Sequence, residues 1–341
     1  MDTSIIENLA DPAILFFFLG ALVGTVRSNL EIPPPIAKFL SLYLLMAIGF
    51  KGGQALAENG LGGDAAKVLG AAMLLALVVP AWSYAILRKR VMPFDAAAIA
   101  ATYGSVSAVT FVAASQFVAG RGDAAGGYLT VALVVMESPA IIMAVLLASW
   151  VRARQPARAS ATTSGSGPED EGGSASVIPS LKLVLHEAFT DGAHLLLIGS
   201  LFVGAVSGPD GGEAMAPFVN DIFTGLLAFF LLEMGLLVAR QLREVRDVGP
   251  FLVGFGLVMP VVNASVALAL GTALGLSVGD LTMLAVLAAS ASYIVVPAVL
   301  RYAIPEARPG RYFTMAIAVT FPFNIIVGIP LYYAVATRLG A

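Results

Sequence analysis

The sequence predicts an all-α membrane protein, with ten transmembrane helices forming two inverted five-helix repeats and discontinuous helices 4 and 9 crossing at the midplane. Three observations predict this. Composition is the first: 58% of residues are hydrophobic and 12% charged, at a mean hydropathy of +0.89, whereas a soluble domain carries about 25% charged residues. The second is a repeat. DAAAIAATYGSVSAVTF (95–111) is answered by DLTMLAVLAASASYIVV (280–296), with Asp280, Ser290 and Ser292 following Asp95, Ser105 and Ser107 at a constant interval of 185 residues. The third is length, since 341 residues hold about ten runs of roughly 20 apolar residues. Five spans per half is an odd number, so the second copy must enter the membrane from the opposite face.

Charged residues, Gly and Pro punctuate the spans. Span 1 (12–26) lies between Asp11-Pro12 and Arg27, and span 2 (36–57) between the triple proline at 33–35 and Glu58. Span 3 (65–87) runs from Asp64 to the basic triplet at 88–90. Span 4 (95–118) follows Pro93 and stops at Gly120-Arg121, and span 5 (127–151) stops at Arg152. In the second half, span 6 (191–207) ends at Gly208-Pro209, span 7 (216–239) at Arg240, and span 8 (248–272) before Gly275. Span 9 (280–302) ends before Pro305-Glu306, and span 10 (312–337) lies between Arg311 and Arg338. Ten residues separate each Asp of spans 4 and 9 from its first serine. At about 1.5 Å per residue that is about 15 Å, half of a bilayer core of about 30 Å, which places both polar patches near the midplane.

The chain divides into a first repeat (1–151), a flexible linker (152–180) rich in Ser, Gly, Pro and charge, and a second repeat (181–341). Residues 181–189 read as a short interfacial amphipathic helix. With the amino terminus outside, 15 of the 19 Lys and Arg fall on one face and 4 on the other. The positive-inside bias then makes the linker cytoplasmic and places both termini, and a loop at 208–213, outside a cytoplasmic (inner) membrane. The start MDTSIIENLADP lacks the basic region of a cleaved signal peptide. Weaker echoes support the halving: ADPAILFFFLGALVG (10–24) with TDGAHLLLIGSLFVG (190–204), LLMAIGFKGGQAL (44–56) with LLEMGLLVARQL (231–242), VVPAW (78–82) with VMPVV (258–262), and ESPAIIMAVLL (137–147) with TFPFNIIVGIPL (320–331).

Inverted repeats of this kind commonly build secondary transporters, with broken helices at the repeat interface. Tyr103-Gly104-Ser105 offers one break, because Gly tolerates unusual backbone angles and Ser or Thr can satisfy freed backbone groups. Pro297, just beyond Ser290-Ala291-Ser292-Tyr293, removes a backbone donor in the other. Exposed N–H groups can hold an anion and exposed carbonyls a hard cation such as sodium. Ser105, Ser107, Thr110, Ser290 and Ser292 would line a site for a small oxyanion with an alkali ion, although small residues also let membrane helices pack closely.

Glu137, in MESPAII, is an ionisable group in apolar surroundings and a candidate sodium ligand. Its alternative is an interfacial glutamate. Glu233 is open to function or to pairing with Lys or Arg, and Asn263 and Asn324 to a ligand role or interhelical hydrogen bonding. His186 and His194 have no metal-ligand spacing and read as interfacial. Gly254-Phe255-Gly256 lies inside a span and is no dinucleotide loop. Cysteine is absent, which excludes thiol catalysis and disulfides. No nucleophile–base pair is visible, so an intramembrane enzyme is disfavoured and the protein is read as no enzyme. Topology accounts for the basic clusters, and no nucleic acid is expected.

IPPPIAKFLSLYLLMAIGFKGG (32–53), FDAAAIAATYGSVSAVTF (94–111), MESPAI (136–141) and LAASASYIVVPAVLRYAIPEA (287–307) closely resemble the sodium-dependent bicarbonate transporters of the SbtA type. The resemblance implies a homotrimeric symporter in the lipid bilayer, importing bicarbonate with sodium. It implies a gate domain from spans 1, 2, 6 and 7 and a core domain from spans 3–5 and 8–10. It also places bicarbonate at Ser105, Val106 and Ser107 and at Ser290, Ala291 and Ser292, and implies a cytoplasmic PII-like regulator, SbtB. Sodium would lie nearby, with Tyr103, Gly104, Thr110, Glu137 and Asn324 as candidates. A sodium-coupled carrier of another small anion, and a sodium/proton exchanger using Glu137, remain the alternatives.

Overall fold

The computed structural model describes residues 10–154, 190 and 192–340, except 61, 124 and 294. The expected interfacial helix at 181–189, His186 and all of the linker beyond residue 154 lie outside the described residues. Among the described residues every regular element is helical, and seven helices are long and apolar enough to cross a membrane.

Helix α1 (Pro12–Thr25) starts where Asp11 caps it, the Asp11 carboxylate accepting from the Ala13 N–H at 2.8 Å, with Pro12 in the first turn. Prolines also open α2 (Pro34–Asn59), whereas α3 (Gly63–Leu87) follows Gly62. The span Pro93–Ala119 is split into α4 (Pro93–Gly104) and α5 (Ala108–Ala119). Helix α6 (Tyr128–Arg154) runs three residues into the stretch assigned to the linker.

Helix α7 (Gly192–Ala216) corrects the expected loop at 208–213. Gly208 leaves the helical backbone at φ 63°, and the chain turns helical again from Pro209 onward. A side chain is disfavoured at that φ, so Gly supplies the break at which two helical segments meet in a kink. A π-helical turn (Pro217–Asp221) leads into α8 (Phe223–Gln241). The short α9 (Val245–Val248) precedes α10 (Pro250–Ala273). A second split pair follows, α11 (Val278–Ala289) and α12 (Val295–Ala303). The last helix, α13 (Pro309–Leu339), holds π-helical stretches at Met315–Thr320 and Asn324–Gly328.

Packing separates these helices into two groups. Helix α2 lies along α7 and α1 along α8, and these are the two most extensive helix contacts. Glycines bring the backbones together: a Cβ on Gly20 or Gly235 would meet the backbone of α8 or α1, and one on Gly53 or Gly204 that of α7 or α2. Small residues supply such contacts in a membrane, where lipid removes the hydrophobic drive between helices. In the other group α3 packs on α4 and α6, and α11 on α10 and α13. The two split pairs form its centre, since residues 95–104 and 279–289 are buried throughout.

Candidate functional site

The two breaks meet. Helix α4 ends at Gly104, and Ser105 and Ser107, on either side of Val106, are extended before α5 starts. Gly104 is required by close approach, because a Cβ there would lie 2.7 Å from the ring of Pro80 on α3. Ser107 caps α5, its Oγ accepting from the Thr110 N–H at 3.2 Å and the Thr110 hydroxyl at 3.0 Å. In the second pair Ser292 stands before α12, and its Oγ accepts from the Val296 N–H at 3.4 Å. Each break thus has a serine at the start of its second half-helix, where unpaired N–H groups make the backbone positive.

Across the junction the two strands of backbone are joined at related positions. The Ser292 N–H donates to the Thr102 carbonyl at 2.9 Å. Thr102 is related by the 185-residue interval to Leu287, and Ser107 to Ser292. The reciprocal link, however, is indirect: the Ser107 N–H donates to Ser290 Oγ at 2.9 Å, and Ser290 Oγ donates to the Leu287 carbonyl at 3.0 Å. One serine hydroxyl is therefore spent on bridging the breaks. Its counterpart, Ser105 Oγ, is buried with no hydrogen-bond partner among the described residues.

The aspartates that open the repeat motifs are anchors. Asp95 accepts from the Arg308 N–H at 2.8 Å and the Arg311 guanidinium at 3.0 Å, at the start of α13. Asp280 accepts from the Gly126 N–H at 2.8 Å and the Tyr128 hydroxyl at 2.5 Å, at the start of α6. Each broken helix in one half of the sequence thus pins the entry of the following long helix in the other half.

A narrow cavity of about 30 Å³ adjoins the junction. Val106, Ser107, Ala108, Ser292 and Tyr293 form one wall, Glu137 of α6 another, and Leu45 of α2 with Ala193, His194 and Leu197 of α7 the far side. Of the residues expected at the site, Val106, Ser107, Ser292 and Glu137 face this cavity. Ser105, Ser290 and Ala291 are buried at the junction without lining it.

The expected sodium candidates do not converge on one point. Thr110 stays at the break, bonded to Ser107. The Tyr103 hydroxyl turns to Thr320 Oγ1 at 2.5 Å, and Thr320 in turn donates to the Gly256 carbonyl at 2.9 Å. Asn324 Nδ2 donates to the Ala289 carbonyl at 2.9 Å, the last residue of α11, and its Oδ1 accepts from the Tyr332 hydroxyl at 3.0 Å. Asn324 is thereby tied to the second break, where it satisfies a carbonyl freed by the helix end. Among the described residues no three His, Cys, Asp or Glu side chains cluster as a metal site.

His194 was read from the sequence as interfacial, and the structure corrects this. It is buried on α7, lines the cavity and places Nδ1 2.5 Å from Glu137 Oε2. The pair bridges the two helix groups across the cavity. The signal available in the sequence was an ionisable side chain inside an apolar run, a functional pointer by default. Glu233 forms no ion pair among the described residues and keeps Oε2 buried without a partner. Asn263 takes the interhelical role, its Oδ1 accepting from Trp82 Nε1 at 3.1 Å.

Chemically, two helix N-termini and several hydroxyls bordering a cavity suit a small oxyanion. No curated protein sequence matches the chain. The helices long enough to cross a membrane make it a multi-pass membrane protein. Over residues 12–337 the chain matches the Na+-dependent bicarbonate transporter superfamily, a family of transporters and not of enzymes, and it belongs to that family.

Proposed function

We propose that the protein is a symporter that imports bicarbonate with sodium by alternating access across the cytoplasmic membrane. The observation that carries this reading is the junction of the two breaks, where Ser107 and Ser292, whose hydroxyls accept from the first turns of the half-helices that follow, line the cavity, and Ser105 Oγ beside them is buried with no partner among the described residues. A buried hydroxyl without a protein partner calls for one from elsewhere, and an oxyanion at two helix N-termini supplies acceptor oxygens. Bicarbonate is assigned to Ser105, Val106, Ser107, Ser290, Ala291 and Ser292. Sodium is assigned to the neighbourhood of Tyr103, Gly104, Thr110, Glu137 and Asn324, where its charge offsets that of an anion at membrane depth.

The ten-span inverted repeat is part of the same reading. The 50-residue segment Gly192–Gln241 measures about 75 Å at 1.5 Å per residue, more than two bilayer cores of about 30 Å. Counted as two spans, and joined by α1 and the α11–α12 pair, it brings seven to ten. The reciprocal anchoring of Asp95 and Asp280 and the paired links between the breaks support two copies of one unit. The glycine-packed α1–α8 and α2–α7 pairs would form the gate, and the remaining helices the moving core. Assembly as a homotrimer, control by a PII-like regulator such as SbtB, and termini on the outer face complete the reading.

Exchange of sodium for protons is the second reading, favoured by Glu137 paired with His194 beside the cavity. Flux coupling in proteoliposomes separates the two. For a symporter, an inward bicarbonate gradient at clamped pH drives uptake of labelled sodium. Sodium movement that ignores bicarbonate and follows a proton gradient would establish the exchanger instead.

A further inference from the structure

A second cavity lies beyond the first, between α2, α5, α6 and α8. Its polar lining includes Lys51, Ser115, Gln116, Asp123 and Thr130. The same three helices carry both cavities. From Leu45 to Lys51 on α2, from Ala108 to Ser115 on α5 and from Glu137 to Thr130 on α6, the step is six or seven residues. At about 1.5 Å per residue each step is about 10 Å along its helix. Ile48 and Phe111, both buried, line the second cavity on the side towards the first along α2 and α5. In the orientation proposed above, the second cavity is the outer vestibule of the pathway.

Lys51 is the cation in this vestibule. It lies in a membrane-capable helix, eight residues before its end, exposed towards the cavity, and a charge within such a helix marks an ion route by default. It forms no ion pair among the described residues, and its Nζ lies 5.0 Å from the centroid of Phe223. Two other charged side chains lie at this level, and each has a contact of its own. Asp123 accepts from the Tyr333 hydroxyl at 2.6 Å, and the Arg121 guanidinium lies on the ring of Phe117 at 3.5 Å. Gly52, next to Lys51, fixes the wall: a Cβ there would lie 2.5 Å from Thr130 Oγ1, so α2 and α6 touch directly at this level.

We propose that Lys51 forms a capture site for small oxyanions in this vestibule, collecting bicarbonate about 10 Å before it reaches the serine junction. An ammonium in a low-dielectric cleft raises the local anion concentration and the rate of entry. The inference rests on the transport reading. The test is uptake of labelled bicarbonate into proteoliposomes by the wild type, Lys51→Gln and Lys51→Arg, at low and high ionic strength set by an impermeant salt. The expected result is a KM for bicarbonate raised about tenfold in Lys51→Gln, with kcat and the half-saturating sodium concentration little changed. Lys51→Arg restores most of the affinity, and raising ionic strength weakens the wild type but not Lys51→Gln. An unchanged KM in Lys51→Gln, a loss in kcat alone, or an arginine variant as impaired as the glutamine one would overturn the capture site while leaving the transport reading in place. Absence of sodium-dependent uptake by the wild type would overturn both.

Discussion

Two serines related by the repeat should respond to the same substitution in opposite ways. Ser290 Oγ accepts from the Ser107 N–H and donates to the Leu287 carbonyl, all of it buried. In Ser290→Ala both backbone groups lose that partner, at about 1–3 kcal/mol for each buried group left unsatisfied. The Leu287 carbonyl keeps a 3.4 Å bond from the Ser290 N–H, which brings the expected destabilisation towards about 2 kcal/mol. Ser105 Oγ has no partner among the described residues, so Ser105→Ala removes a buried polar atom and no bond. Its effect on stability should stay within about 0.5 kcal/mol. If that hydroxyl instead bonds the transported anion, its loss removes a hydrogen bond to a charged group, about 1.5–3 kcal/mol, or roughly 10- to 150-fold in KM. Thermal unfolding of the purified proteins without sodium or bicarbonate measures the first quantity, and uptake into proteoliposomes the second. A Tm lowered as much in Ser105→Ala as in Ser290→Ala, or a KM unchanged in Ser105→Ala, would refute the reasoning.

The anchoring aspartates give a graded prediction. Asp95→Asn breaks the ion pair with Arg311, which is partly exposed, and should cost about 1–3 kcal/mol; Asp280→Asn alters only the contact with the Tyr128 hydroxyl and should cost about 1 kcal/mol. Thermal unfolding ranks the two, and the opposite order would count against the anchoring geometry. His194→Gln removes the imidazole that contacts the buried Glu137 carboxylate and should destabilise by roughly 1–3 kcal/mol. Adding Glu137→Gln should recover part of that loss, a coupling that a double-mutant cycle of Tm values detects and that strict additivity would exclude. On the surface, Arg152 hydrogen-bonds Glu306 through two 2.8 Å contacts and holds its carboxyl below the usual carboxylate range. A depressed folded-state pKa contributes stability above the unfolded value of about 4.3, lost as pH falls through the folded one. Because Glu306 is 38% exposed, the contribution is under about 1 kcal/mol. The Tm gap between wild type and Glu306→Gln should therefore close in acid, and a gap that widens there would show that the sign is wrong.

What was legible in the sequence was what neighbours in the chain decide. The Ser-x-Ser pairs and the aspartates ten residues before each break are local patterns written twice, and their repetition pointed to both breaks, with Gly104 an added signal in the first. Hydropathy alone found the helices that Pro and charge delimit. The partners were not legible, because they are chosen by packing between distant segments. His194 reaches Glu137 across 57 positions, and Asp95 reaches Arg311 across 216. Tyr103 and Asn324 show the limit at the site itself: both are polar groups beside a break, but their side chains are turned to Thr320 and to the Ala289 carbonyl, and only the fold sets those directions. The kink at Gly208 escaped for a different reason, since Gly-Pro reads as a loop wherever a helix can resume after it.

The account rests on a sodium-coupled bicarbonate site at the junction of the two breaks. Its most direct test is uptake of labelled bicarbonate into proteoliposomes, with and without an inward sodium gradient, by the wild type and by Ser107→Phe, whose ring would fill the cavity wall between the breaks. The account predicts uptake that requires sodium in the wild type and is abolished in the variant, with the variant still folded and inserted. Full uptake by a folded Ser107→Phe protein would place the site elsewhere and contradict the account.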